Sequence, residues 1–169
     1  GRRRDIGLFN AGSGGTVRVA YERATDGVQT IEGRGPAFAT GVKLANPEMD
    51  VWLVTGDGDG LSIGGNHMLH VLRRNVNMQV MLFNNEVYGL TKGQYSPTSP
   101  QGYRSPSSPM GSIDRPLSPC LFALGANATF VARAVDTQQQ HTPGVLRRAH
   151  AHQGAAFVAI YTLCSASPA

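Results

Sequence analysis

The sequence predicts one α/β domain, a parallel sheet flanked by helices. Three observations carry that prediction. Val51–Thr55 (VWLVT) and Gln79–Phe83 (QVMLF) are short, continuous apolar runs, the pattern of strands buried on both faces. Between them stand a glycine turn, Gly56 to Gly60, and then Met68, Leu69, Val71 and Leu72 at helical spacing. Strand, turn, helix and strand in that order form a βαβ unit, whose crossover makes the two strands parallel and right-handed.

The other elements follow along the chain. Residues 1–29 are Gly-rich and charged, with little periodicity, and are expected to be an atypical, loose lead-in. The domain proper is expected over residues 30–164, with 165–169 a tail. Gly33 to Pro36 is a turn, and Pro36 suits the first position of a helix. Ala37, Phe38, Val42 and Leu44 make that helix apolar, and Pro47 ends it. Residues 92–119 hold six of the ten prolines and many serines, the composition of a functional loop. Ala128–Ala132 then reads as a strand, His141–His152 as a helix and Ala156–Tyr161 as a last strand.

Composition bounds the function. Of 169 residues, 41% are hydrophobic and 15% charged, enough to bury a core. Net charge is +4, but the dense basic runs (Arg2–Arg4, Arg73–Arg74, Arg147–Arg148) lack interleaved aromatics. That argues against nucleic-acid binding. No apolar run approaches the ~18 residues of a membrane span, and no apolar stretch follows the basic start, so a cytoplasmic protein is expected. The two cysteines, Cys120 and Cys164, form no CxxC pair and cannot alone build a four-cysteine metal site.

Chemistry is expected where the two strong strands end, because open α/β sheets bind ligands beyond the carboxyl ends of their strands. Asp57 follows the first strand and Asn84-Asn85 follows the second. A carboxylate and an amide oxygen side by side suit Mg2+, a hard cation that often keeps phosphate in its shell. Gly56, Gly58 and Gly60 permit close approach of an anion, and the helix starting near Ser62–Gly65 offers free N–H groups to it. The site therefore reads as a clamp for Mg2+ and a diphosphate. Taken singly, Gly-Asp-Gly and Asn-Asn are ordinary turns; their joint spacing carries the reading. A calcium loop is excluded because Ser62 and Met68 stand where Gly and Glu belong. Neither a Walker loop nor a dinucleotide fingerprint is present.

The string G-D-G-D-G-L-S-I-G-G-N-H (56–67), followed by L-F-N-N-E-V-Y-G-L-T-K-G-Q-Y-S-P-T-S (82–99), resembles the beta subunit of 2-oxoacid:ferredoxin oxidoreductases. The T-K-G-Q-Y-S-P-T-S form is more similar to the 2-oxoglutarate branch than to the pyruvate branch. The resemblance runs from about Thr30 to about Cys164. It implies a thiamine-diphosphate-binding domain that carries out oxidative decarboxylation of a 2-oxoacid. Coenzyme A would take the acyl group and ferredoxin the electrons, and an alpha subunit would supply the carboxylate that activates the cofactor. By position, Asp57, the Asn85 side chain and the Val87 carbonyl would hold Mg2+. Gly56, Gly58, Asp59 and the start of the next helix, Ser62 and Ile63, would surround the diphosphate. Leu90, Thr91 and Lys92 would lie near the thiazolium and the substrate, Lys92 facing a substrate carboxylate or remaining an ordinary exposed lysine. Cys164 would help hold an iron–sulfur (4Fe–4S) cluster. Departures from the family are the absence of any cysteine before Cys120, Glu32 in place of a histidine, and residues 1–29. His67 and His70, three apart, are expected to pack or face the cofactor rather than bind metal; Cys120 receives no role. A non-oxidative thiamine enzyme and a non-catalytic remnant that binds the partner subunit are the competing readings.

Overall fold

The structure, a computed structural model, describes residues 5–10 and 26–163. Its elements in order are β1 (Asp5–Asn10), β2 (Asp26–Thr30), α1 (Gly35–Ala45), β3 (Asp50–Gly56), α2 (Gly65–Arg73), β4 (Met78–Asn84), a hairpin of β5 (Val87–Tyr88) and β6 (Gln94–Tyr95), α3 (Pro119–Gly125), β7 (Phe130–Val135), α4 (His141–Ala151) and β8 (Ala155–Tyr161). Six strands form one sheet in the order β2-β1-β3-β4-β8-β7, and every pair in it is parallel. The α/β class expected from the sequence is the class observed.

Period-two alternation sorts the core onto two faces. Leu53, Val80, Leu82 and Phe157 point to one face, where α1, α2 and α3 cover them with Ala39, Met68, Leu72 and Ala123. Val54, Met81, Val158 and Ile160 point to the other, under Val145 and Ala149 of α4. Central β4 is buried at every position but Phe83, which is why its sequence is apolar without alternation. Among the described residues, no helix is long and apolar enough to cross a membrane.

Three features depart from the sequence reading. Strands β1 and β2 fall within the stretch read as a lead-in. A short strand flanked on both sides takes its stability from pairing, as β1 does with β2 and β3, so its own periodicity says little. Helix α3, which the sequence reading lacks, follows the Pro/Ser segment; Cys120 occupies its first turn and packs, half-buried, against the core. Ser118 caps that helix and Pro119 opens it, a start signal lost among the surrounding prolines. Finally, the Pro/Ser segment is tied to itself. Gly102 N–H donates to Ser112 O at 2.8 Å and Ser112 N–H to Tyr103 O at 2.9 Å, while Ser96, Thr98 and Ser99 are buried.

Candidate cofactor and metal site

The site forms where β3 and β4 end. The two strands are paired through Gly56 and Phe83, so the turns that follow them emerge side by side. After β3 the chain does not enter α2 directly. Asp59–Ile63 winds as a π-turn, closed by Gly64 N–H donating to Asp59 O at 2.9 Å. Only glycine fits at position 64, because a Cβ there would lie 2.5 Å from Asp59 O. The helical winding thus begins at Asp57, directly after β3 and earlier than the Ser62–Gly65 start expected from the sequence, so its first free N–H groups lie at the Gly56–Gly58 segment.

Asp57 is fully buried. Its Oδ2 accepts from Ser96 Oγ at 2.5 Å and from Thr98 Oγ1 at 2.7 Å. Its Oδ1 is buried with no partner among the described residues. Burial pushes the carboxyl above its ordinary value, against the two hydroxyls and the backbone N–H groups of Asp57 and Asn85, which favour the charge. The last of these contacts puts Asn85 against the Asp57 carboxylate, the meeting of strand ends that the spacing predicts. The Asn85 Oδ1 accepts only a long bond, 3.3 Å, from Val87 N–H. A buried carboxylate oxygen without a partner, next to a weakly engaged amide oxygen, fits a hard divalent cation.

The Asp59 side chain is held within the fold. It is 2% exposed; Oδ1 accepts from Gly33 N–H at 2.6 Å and Oδ2 from Thr55 Oγ1 at 2.5 Å. With both oxygens engaged, it fastens the Gly33 turn, where φ is +73°, to the end of β3 rather than turning toward an anion. Ser62 and Ile63 are exposed on the π-turn. Tyr88, to which sequence reasoning gave no role, covers Gly58. Its hydroxyl donates to Gly58 O at 2.9 Å, and a Cβ on Gly58 would lie 2.4 Å from its ring. Burial, and then the carboxylates of Glu32, Asp57 and Asp59, hold that hydroxyl above its usual range, so it stays a donor.

Leu90, Thr91 and Lys92 form the exposed tip of the β5–β6 hairpin. Lys92 has φ +73°, its N–H donating to Gly89 O at 3.2 Å, and Thr91 Oγ1 meets Gln94. His67 receives a hydrogen bond from Arg34 at Nε2, which occupies that lone pair. No group of three or more metal-ligating side chains of the His, Cys, Asp or Glu types gathers among the described residues. Cys164 lies outside them. Sequence reasoning passed over Ser96 and Thr98: serine and threonine in a proline-rich loop look like solvent-facing turn residues until the fold buries them.

Comparison with known proteins gives this geometry a family. Residues 14–160 match the family model described as thiamine pyrophosphate enzyme, C-terminal TPP binding domain. The 2-oxoglutarate oxidoreductase subunit KorB of Mycobacterium tuberculosis is 54% identical over 164 residues, covering 97% of this chain and 44% of that protein. The 2-oxoglutarate synthase subunit KorB of Archaeoglobus fulgidus is 38% identical, covering 97% of this chain and 61% of that one. Among solved structures, the 2-oxoglutarate:ferredoxin oxidoreductase from Magnetococcus marinus, with 2-oxoglutarate, coenzyme A and succinyl-CoA bound, superposes with a TM-score of 0.92 at 38% identity, over 98% of this chain and 56% of that chain. The chain thus spans about half the length of the relatives it matches. With the match running through both strand-end turns, the chain belongs to the thiamine pyrophosphate enzymes and carries their C-terminal TPP-binding domain.

Proposed function

We propose that this chain is the thiamine-diphosphate-binding part of the beta subunit of a 2-oxoglutarate:ferredoxin oxidoreductase. The observation that carries the reading is the unpartnered, buried Oδ1 of Asp57 beside Asn85, in a domain similar to oxidoreductase subunits named for 2-oxoglutarate.

When bound, thiamine diphosphate supplies the nucleophilic carbon and the electron sink that decarboxylation of a 2-oxoacid requires. The chain's own residues bind and orient. Asp57, the Asn85 side chain and the Val87 carbonyl hold Mg2+, which neutralises the diphosphate. Gly56 and Gly58 let the backbone approach its oxygens, and the N–H groups opening the Asp59 π-turn donate to them. Tyr88 keeps the Gly58 carbonyl turned away from the anion by donating to it. Leu90 and Thr91 flank the thiazolium, and Lys92 meets a carboxylate of the substrate. Cys164 would be one ligand of an iron–sulfur cluster, whose full set of four this chain, with two cysteines, does not contain; ferredoxin would receive the electrons and coenzyme A the acyl group. The alpha subunit supplies the carboxylate at the aminopyrimidine ring, so the isolated chain is inactive.

The test is an assay of the complete subunit assembled with its alpha partner, with coenzyme A and a viologen or ferredoxin acceptor. Acyl-CoA formation with acceptor reduction, faster on 2-oxoglutarate than on pyruvate, is the expected result. Decarboxylation without acceptor reduction would indicate a non-oxidative thiamine enzyme. Absence of Mg2+-dependent thiamine-diphosphate binding in the assembly would mark the chain as a non-catalytic remnant.

A further inference from the structure

The fold treats the two oxygens of Asp57 differently. Oδ2 is occupied by Ser96 and Thr98, and Oδ1 by nothing among the described residues. The hydroxyls of both residues donate to Oδ2. Thr98 Oγ1 also reaches Asn84 Oδ1 at 2.8 Å. Ser96 Oγ accepts from Thr98 N–H at 3.3 Å. The result is a network in which Thr98 bridges Asp57 and Asn84, with Ser96 closing it from the other side.

The turn bearing these hydroxyls is fixed to the second half of the site. Ser99 Oγ accepts from Ser96 N–H at 2.7 Å and donates to Glu86 O at 2.5 Å. Glu86 lies between Asn85 and Val87 in a turn with φ +60°. The Ser96–Ser99 turn therefore braces the Asp57 carboxylate and the Asn85–Val87 turn together. Rotating the carboxylate to offer both oxygens to one cation would break two buried charge-assisted hydrogen bonds.

We propose that Ser96 and Thr98 are positioning residues that confine Asp57 to one-oxygen ligation through Oδ1 and thereby make the site select Mg2+ over Ca2+. Mg2+ requires near-octahedral geometry with single-oxygen ligands, whereas Ca2+ accepts six to eight oxygens and gains from a bidentate carboxylate. This rests on the reading of Asp57 as a ligand in a cation–diphosphate site.

The experiment is calorimetric titration of Mg2+ and of Ca2+ into the complete subunit assembled with its partner, in saturating thiamine diphosphate. In the Ser96→Ala/Thr98→Val double variant, Mg2+ affinity falls roughly 10–100-fold while Ca2+ affinity falls less than about threefold, so preference moves toward Ca2+. Thr98→Ser, which keeps the hydroxyl, restores the wild-type ratio to within about threefold. If the double variant does not assemble, Thr98→Val and Ser96→Ala taken singly move the ratio the same way by smaller steps. Equal loss of both cations, or no change in either, overturns the proposal. Failure of the wild-type assembly to bind thiamine diphosphate with either cation overturns the underlying reading of the site, an outcome separable from the first.

Discussion

Asp57 and Lys92 belong to one motif-bearing region of the sequence, yet the fold treats them in opposite ways. Around Asp57 the hydroxyls of Ser96 and Thr98 are buried and converge on it, with the Asn85 backbone beside it and the Asn84 amide held by Thr98. At the hairpin tip, Leu90 is 70% exposed and Thr91 and Lys92 face outward. The first region is a finished half-site, its geometry set by this chain alone. The second is a surface whose chemistry waits on whatever faces it. Burial makes electrostatics strong and positions exact in the first, while solvent screens the charge of the second.

Asp57→Asn strikes the finished region hardest. Mg2+-dependent thiamine-diphosphate binding by the assembled protein falls at least roughly 100-fold, beyond the usual cost of losing a supporting residue. The metal-free protein, in contrast, becomes more stable by about 1 kcal/mol at neutral pH, because a buried charge held for function is removed. The pH sign follows from the raised carboxyl. Relative to the ionised state, protonated Asp57 favours the fold; that contribution is complete below its ordinary 3.8 and is lost as pH rises through the higher folded value. The stability gap between variant and wild type, read by thermal unfolding, therefore closes as pH falls toward 3.8. A gap independent of pH would show that burial does not strain this carboxylate.

Gly58→Ala tests whether the turn after β3 is as tightly specified as the carboxylate. The new methyl would stand 2.4 Å from the Tyr88 ring, so the ring must move and its bond to Gly58 O is lost. Cofactor affinity drops roughly 30-fold by misplacement alone, a scale set by the sensitivity of such sites to shifts near 1 Å. Stability falls by about 1–2 kcal/mol. Calorimetric binding and denaturant unfolding read the two effects; unchanged binding would mean the diphosphate does not approach this turn.

The smallest effect belongs to Lys92→Ala. Stability changes by less than about 0.5 kcal/mol, as for most surface positions. Cofactor binding is unaltered, and the KM for the 2-oxoacid rises about fivefold, the worth of a screened ion pair. An unaltered KM in steady-state assay would leave Lys92 an ordinary exposed lysine and sharpen the contrast between the two regions.

Asp57, Asn85 and the glycine turn stand out in the sequence because residue types that suit a metal–diphosphate site fall at the ends of two apolar strands, whose pairing brings those ends together. The direction of the Asp59 carboxylate was not legible, since proximity in sequence to Asp57 says nothing about it: one residue beyond Gly58, the π-turn aims that carboxylate at Gly33 and Thr55. Tyr88, Ser96 and Thr98 escaped notice because their partners lie 30, 39 and 41 residues away.

By itself, then, the sequence determined the parallel α/β class, the order α1, β3, α2, β4, β7, α4 and β8, and the meeting of the turns that follow β3 and β4. These depend on local periodicity and on strand ends brought together by a single crossover. Only the tertiary structure decided that β1 is an interior strand, that the Pro/Ser loop turns back to clamp one oxygen of Asp57, and that Leu90–Lys92 stands in the open. Those outcomes depend on contacts between segments far apart in the chain, and such contacts leave no periodic trace in the residues that make them.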